Sequence, residues 1–165
     1  MLALLTLLFS LSSLTTYALS SDSDLPMNVS SDTLDFNSKT GITIFTGNVK
    51  MDQGTTHLRA DKVTVYKRMD GEVEKIIAVG KQAHYSTQPE EGKDVMDAFG
   101  NTIEYYPQKK QAVILGNGSV KQGQNSLNAQ HIVYDLAKDT LTSIPTNRRE
   151  AAKLILYPKN LPGSK

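Results

Sequence analysis

The chain contains no cysteine and no tryptophan. Without cysteine there can be no disulfide, no thiolate metal site, no thiol nucleophile and no lipid-modified cysteine anchor. Aromatic residues make up 7% of the sequence, so any sizeable core must be largely aliphatic. The formal net charge is +1, which aims no strong field at nucleic acid. The densest basic pair, Arg148-Arg149, has no interleaved aromatics on which bases could stack. Nucleic acid is therefore not an expected partner.

Chemistry-bearing residues are equally sparse. His57, His84 and His131 are the only histidines and read as surface or rim residues, with Asp52 and Asp135 placed across turns or on the wrong strand face to join them. Glu90, Glu91, Asp94 and Asp97 read as a hydrophilic loop, since an acid–base pair needs burial to shift a pKa. There is no glycine-rich phosphate loop, nucleophile elbow or His-Glu-x-x-His motif. The expectation is a non-enzyme with no catalytic residue, no metal and no cofactor.

The first residues differ in kind from the rest. Met1 to Leu14 is rich in leucine, and Thr16 and Ala18 place small residues where a signal peptidase requires them. Residues 1–18 read as a secretory signal peptide, with an uncleaved membrane anchor as the competing reading. No Lys or Arg precedes the apolar run, so the true start could lie upstream. Residues 19–26 read as a flexible polar linker, 27–158 as one β domain, and 159–165 as a disordered tail.

Within the domain the chain repeats itself. Ile44-Phe45-Thr46-Gly47-Asn48 and Val113-Ile114-Leu115-Gly116-Asn117 lie 69 residues apart, from Gly47 to Gly116. Thr33-Leu34-Asp35-Phe36 matches Thr102-Ile103-Glu104-Tyr105, and Leu58-Arg59-Ala60 matches Leu127-Asn128-Ala129, at the same offset. Matching Val49-Lys50 to Val120-Lys121 makes Gly118-Ser119 an insertion, compensated by a turn two residues shorter before Leu127. A duplicated unit of strands builds one continuous surface.

Residues alternate in polarity between turn signals. Leu34 and Phe36 oppose Thr33 and Asp35; Val63 and Val65 oppose Lys62 and Thr64; Ile103 and Tyr105 oppose Thr102 and Glu104. This period of two means sheets with one apolar and one wet face. Turn signals include Gly47-Asn48, Gly80-Lys81, Gly100-Asn101 and Gly116-Asn117-Gly118. Asp94 to Ala98 could hold one helical turn, and Leu154 to Tyr157 reads as a last strand stopped by Pro158. The inward set is rich in flexible, mid-sized side chains: Met27, Leu34, Met51, Leu58, Met96 and Leu127. Such a set suits a plain sandwich core, and equally an interior left unfilled to accept acyl chains.

Val29-Ser30-Ser31-Asp32, Phe45-Thr46-Gly47-Asn48-Val49, Gln53-Gly54, Leu58-Arg59-Ala60-Asp61-Lys62-Val63 and Gly116-Asn117 resemble the OstA/LptA family of periplasmic lipopolysaccharide-transport proteins. The likeness runs from Met27 to Tyr157. It implies an all-β fold: an open, twisted antiparallel β jelly roll with two facing sheets. It implies binding of lipopolysaccharide through its lipid A acyl chains, in the periplasm of a Gram-negative bacterium. The implied partners are an inner-membrane bitopic component of an ABC exporter, the β-jelly-roll domain of an outer-membrane translocon, and further copies of the chain, head to tail. Lipid-contacting places carry over to Met27, Val29, Tyr85, Tyr105 and Pro107, joined by Leu34, Phe36 and Ile103 on the same apolar faces. Pro107 departs from the aliphatic residue usual there. The self-association edges fall on Met27 and Val29 at one end, and on Leu154, Ile155 and Leu156 at the other. An anchored homologue of the same machine and a jelly-roll sugar-binding module are the alternatives.

Overall fold

The computed structural model describes Asp22 and residues 25–88, 92–145 and 150–158. The signal run 1–18, the tail 159–165, Glu90-Glu91 and Arg148-Arg149 lie outside the described residues. The ten strands are β1 (Asn28–Ser30), β2 (Thr33–Asn37), β3 (Ile42–Gln53), β4 (Thr56–Lys67), β5 (Val73–Thr87), β6 (Met96–Tyr106), β7 (Gln111–Gln122), β8 (Asn125–Asp135), β9 (Thr140–Ser143) and β10 (Lys153–Ile155). All pairings are antiparallel. The order is β1-β3-β4-β5-β6-β7-β8-β10, with β2 also on β3 and β9 also on β8. Among the described residues the sheet does not close: β3 carries two short strands on its outer edge, and β8 carries two on the other.

Four of the expected turns are not turns. Gly47-Asn48, Gly80-Lys81, Gly100-Asn101 and Gly116-Asn117 lie inside the long strands β3, β5, β6 and β7, where the register slips. They are β-bulges, and bulges bend a strand. Gly47 and Asn48 both have positive φ (79° and 47°), as do Gly116 and Asn117 (71° and 54°). Glycine and asparagine tolerate that region, which is why they serve bulges and turns alike. Neighbouring side chains take up backbone groups at the bulges. Asp61 Oδ2 accepts from the Lys81 amide at 3.1 Å, and Gln130 Oε1 accepts from the Asn117 amide at 3.2 Å.

The bulges lie at the same level in successive strands, so they form one crease across the sheet. The crease divides it into two leaves that face each other. One leaf runs from β1 through the hairpin-proximal halves of β3 and β4 to β10. The other runs from β2 to β9. The second half of β5 begins at Ala83, and Met96 to Ala98, assigned to a possible helical turn by the sequence, starts β6. Asp94 to Ala98 cannot hold a helix because β6 pairs with β5 from Met96 onward.

The 69-residue repeat holds in the pairing itself. Val49 faces Ala60 as Gly118 faces Ala129, and Thr46 faces Lys62 as Leu115 faces His131. Asn28 faces Asp52 as Asp97 faces Lys121. Gly118-Ser119 is therefore not an insertion: Val49 corresponds to Gly118, and both hairpins turn over two residues, Gly54-Thr55 and Gly123-Gln124. The similar Val-Lys pairs are a coincidence of alternation, one bulge out of step. In this correspondence β1 and β2 together match β6, and β9 and β10 together match β5. The strands at the two outer edges are broken versions of the two at the centre.

The core is the inner face of both leaves. Val63, Ala83 and Ile132 have no exposed surface, and Val49, Ala78 and Ile114 expose 1%. Among the described residues no polar or charged side chain is fully buried. At Gly100 a Cβ would sit 2.6 Å from Ile114 Cγ2 and 3.3 Å from the Leu115 carbonyl oxygen. We predict that Gly100→Ala destabilises the fold by about 1–3 kcal/mol through overpacking against the crease. Urea unfolding followed by circular dichroism checks this, with a lower midpoint at unchanged slope as the expected result.

Candidate functional site: an apolar seam between the leaves

Three rows of inward side chains cross the sheet from edge to edge. The first reads Val29, Met51, Leu58, Tyr85, Ala98, Val120, Leu127, Leu154. On the facing leaf, one row reads Leu34, Phe45, Val63, Ala78, Ile103, Ile114, Ile132, Ser143, and another Phe36, Thr43, Val65, Ile76, Tyr105, Ala112, Tyr134, Leu141. Nearly every position is apolar. The rows run perpendicular to the strands, so the interior is a corridor from one edge of the sheet to the other.

The corridor is not filled. A cavity of about 180 Å³ lies towards the β1 end, lined by Met27, Met51, Leu58 and Ile76 together with Tyr85, Ile103 and Tyr105. The last three also line a narrower void of about 30 Å³ in the middle, with Ala98, Ala112 and Tyr134. Met96, Val120 and Tyr134 pass from that void into a third, of about 300 Å³, lined at the far end by Leu141, Leu154 and Leu156. Consecutive cavities share wall residues, so they lie in line along one seam from the β1 side to the β10 side. Small side chains at its waist, Ala98 and Ala112, leave room where Leu or Phe would close it.

Three tyrosines, Tyr85, Tyr105 and Tyr134, carry hydroxyls at the middle of the seam. Burial pushes the Tyr85 phenol above its ordinary value, opposed by hydrogen bonds from Thr56 and Thr87. Burial alone raises Tyr105. Tyr134 is raised first by burial and then by its hydrogen bond to Asp139 Oδ1 at 2.8 Å. All three stay neutral at physiological pH, so the seam carries no charge on them.

The mouth beside β1 is polar. Of residues 19–26, the structure describes Asp22, Leu25 and Pro26. Asp22 accepts hydrogen bonds from the Thr55 amide at 3.0 Å and from the Thr55 and Thr56 hydroxyls at 2.7 Å each. Gln53 Nε2 donates to the Leu25 carbonyl at 2.9 Å. These contacts tie Asp22 and Leu25 to the β3–β4 hairpin, and Asp22 helps to line the first cavity. Burial pushes the Asp22 carboxyl up, but the Thr55 and Thr56 hydrogen bonds outweigh it, leaving the carboxyl below its ordinary 3.8. A depressed carboxylate stabilises the folded state above its unfolded value, and that contribution is lost as pH falls through the folded one. We predict that Asp22→Ala speeds entry of an apolar fluorescent probe into the seam several-fold at neutral pH. Lowering the pH through the depressed folded-state value of Asp22, which lies below 3.8, should produce the same faster entry in the parent chain but no further change in the variant. Stopped-flow fluorescence measures both.

The outer faces carry the paired charges. Asp52 and His57 are direct cross-strand neighbours, with Asp52 Oδ1 at 2.6 Å from His57 Nδ1 and at 2.8 Å from Arg59 Nη2. The sequence reading separated them across a turn; the two-residue hairpin instead sets them on one face. His84 Nε2 meets Asp97 Oδ1 at 2.7 Å, and its ring stacks on Phe99 with centroids 4.3 Å apart. Among the described residues no three His, Cys, Asp or Glu side chains converge to hold a metal.

Of the residues singled out by sequence, Tyr85, Ile103 and Tyr105 stand together at the centre of the seam, and Met27 lines its first cavity. Val29 packs against the core beside Met51. Leu34 and Phe36 lie on β2 at the sheet edge, 61% and 58% exposed. Pro107 opens a single 3-10 turn, Pro107–Lys109, beyond the end of β6. Leu154 and Leu156 line the third cavity, while Ile155 faces outward opposite Ser126. The sequence reading did not single out Ile76, Ala98, Ala112, Tyr134 or Leu141 as wall residues, although the first repeat's Val65 and Ile76 match Tyr134 and Leu141 in the pairing.

An antiparallel sheet creased into two leaves, open at both edges, with an unfilled apolar seam, defines a class: an open β jelly roll shaped to shelter apolar groups from water. Within that class, the chain belongs to the family described as LptA/(LptD N-terminal domain) LPS transport protein, whose pattern matches residues 28–140. It is 31% identical over 148 residues to the lipopolysaccharide export system protein LptH of Pseudomonas aeruginosa, covering 86% of this chain and 85% of that one. It is 29% identical over 151 residues to the lipopolysaccharide export system protein LptA of Escherichia coli K12, covering 90% of this chain and 80% of that one. The crystal structure of P. aeruginosa LptH, described as the LptA homologous periplasmic component of the lipopolysaccharide transport device, superposes with a TM-score of 0.76 at 29% identity, covering 84% of this chain and all of that one. Among the described residues no helix is long and apolar enough to cross a membrane.

Proposed function

We propose that this chain is a non-enzymatic periplasmic carrier that holds lipopolysaccharide by its acyl chains in the seam. The observation that carries the reading is the seam itself: three cavities with largely apolar walls that share lining residues, in line from one sheet edge to the other. Burying an acyl chain is worth about 0.8 kcal/mol per CH₂. A chain of about a dozen carbons therefore gains roughly 10 kcal/mol from shelter, which a flat surface cannot supply. Movement along the seam exchanges one apolar site for a similar one, so transfer needs no catalytic group in this chain. The drive comes from an ABC exporter in the inner membrane, through its bitopic partner. The delivery point is the related jelly-roll domain of an outer-membrane translocon. Copies of the chain join head to tail between them, and the leucine-rich residues 1–18 direct export.

A photo-crosslinking amino acid at Met27, Val29, Tyr85 or Tyr105 is expected to capture lipopolysaccharide in cells. The same group at Lys62 or Thr64, on the outer face of β4, is expected to capture none. Equal capture on both faces would remove the seam as the binding site.

A further inference from the structure

The head-to-tail reading names a partner; the internal repeat adds how the two copies meet. At the centre of the molecule, the last strand of the first repeat, β5, pairs with the first strand of the second, β6. The matching strands at the outer edges are β9 with β10, and β1 with β2. Among the described residues the chain thus contains one occupied junction and, at opposite ends of the sheet, two halves of the same junction with no strand paired beyond them.

The exposed apolar residues at those ends are the counterparts of seam residues at the centre. Met27 corresponds to Met96, Leu34 to Ile103 and Phe36 to Tyr105 on the β6 side. Leu141 corresponds to Ile76 and Leu154 to Tyr85 on the β5 side. At the centre Met96 and Ile103 are 5% exposed, whereas Met27 is 47% and Leu34 61% exposed at the edge. Leu154, at 59%, sits where Tyr85 makes a wall. Each edge offers half of a wall, and the surface carrying the complementary half is the opposite edge of another copy.

We infer that a second copy docks by repeating the β5–β6 junction, in a register the first junction dictates. Tyr85 opposes Ala98, so Leu154 of one copy opposes Val29 of the next. His84 opposes Phe99 and Ser86 opposes Asp97, so Lys153 opposes Ser30 and Ile155 opposes Asn28. On the other leaf, Ile76 opposes Tyr105 and Ala78 opposes Ile103, so Leu141 opposes Phe36 and Ser143 opposes Leu34. In this register all three inward rows run on from one chain to the next. The seam wall at the ends of the chain is completed only by the partner copy. A slip of two residues keeps the same faces inward but takes the new junction out of step with the internal one.

The absence of native cysteine makes the register directly measurable. Three double variants of the full chain carry Val29→Cys with Leu154→Cys, Leu156→Cys or Ala152→Cys. Within one chain β1 and β10 end opposite edges of the sheet, too far apart to bridge, so any disulfide joins two copies. Under mild oxidation the 29/154 variant is expected to form a ladder of linked chains at least tenfold faster than the other two. A faster ladder from 29/156 or 29/152 overturns the register while leaving head-to-tail assembly in place. No ladder from any variant, with a parent that remains monomeric by light scattering, overturns the assembly and the register with it.

Discussion

A chain carrying Tyr105→Glu is expected to fold as the parent does and to lose at least tenfold in affinity for lipopolysaccharide. Tyr105 sits between Ile76 and Ala112 in an inward row and lines both the first cavity and the waist. It is only partly buried, so in the empty protein the carboxylate can turn to water. With acyl chains in the seam that escape is closed, and the charge must be desolvated or protonated, at a cost of several kcal/mol. Each tenfold in affinity is about 1.4 kcal/mol, so even a fraction of that cost gives the expected loss. Thr64→Glu, on the outer face of the same leaf, is the matched control and should bind as the parent does. Titration with fluorescent lipopolysaccharide measures both. Equal affinities for parent and Tyr105→Glu would show that acyl chains do not pass the waist.

The second large effect is expected at the far edge. Ile155→Pro should leave a folded chain that binds lipid but stays monomeric at concentrations where the parent forms rods. Proline has no amide hydrogen and breaks a ladder, which edge strands tolerate and central ones do not. β10 is three residues long and pairs only with β8, through Lys153, Leu154 and Ile155. Ile155 faces outward opposite Ser126, so the seam keeps its lining. Contacts between unlike edges do not close on themselves, and give rods that lengthen with concentration. Light scattering over a concentration series reads this. A variant that assembles like the parent would mean that copies join through some other surface.

The alternation of Leu34, Phe36, Val63, Val65, Ile103 and Tyr105 was enough to assign the inner face, because a period of two survives in any strand long enough to pair. The strand lengths were not legible. Gly47-Asn48 and Gly116-Asn117 supply the positive φ that a tight turn needs and that a bulge needs equally. Reading them as turns cuts β3 and β7 in half and hides the crease. The same misstep produced the spurious insertion at Gly118-Ser119. At the edges, Leu154 to Leu156 stood out as an apolar run, whereas β9 has one inward apolar residue, Leu141, too few to show any period. The Asp22 clasp carried no sequence signal, since one aspartate in a run of Ser and Asp looks the same whether it is bound or not. The waist residues Ala98 and Ala112 were passed over because their contribution is the volume they leave empty, and pattern reading rewards large side chains.

Because every strand lies across the seam, the length of a copy along the direction of transport is counted in strands. Each leaf is eight strands wide, and neighbouring strands stand ~4.8 Å apart. In the proposed head-to-tail rod one chain would therefore advance the assembly by roughly 40 Å, with no spacer added at the proposed junction. A rod of such chains is a ruler with a coarse division. It can match a gap between two membranes only to the nearest whole chain, and any remainder must be taken up by tilt, by bending at junctions, or by the end pieces to which it docks.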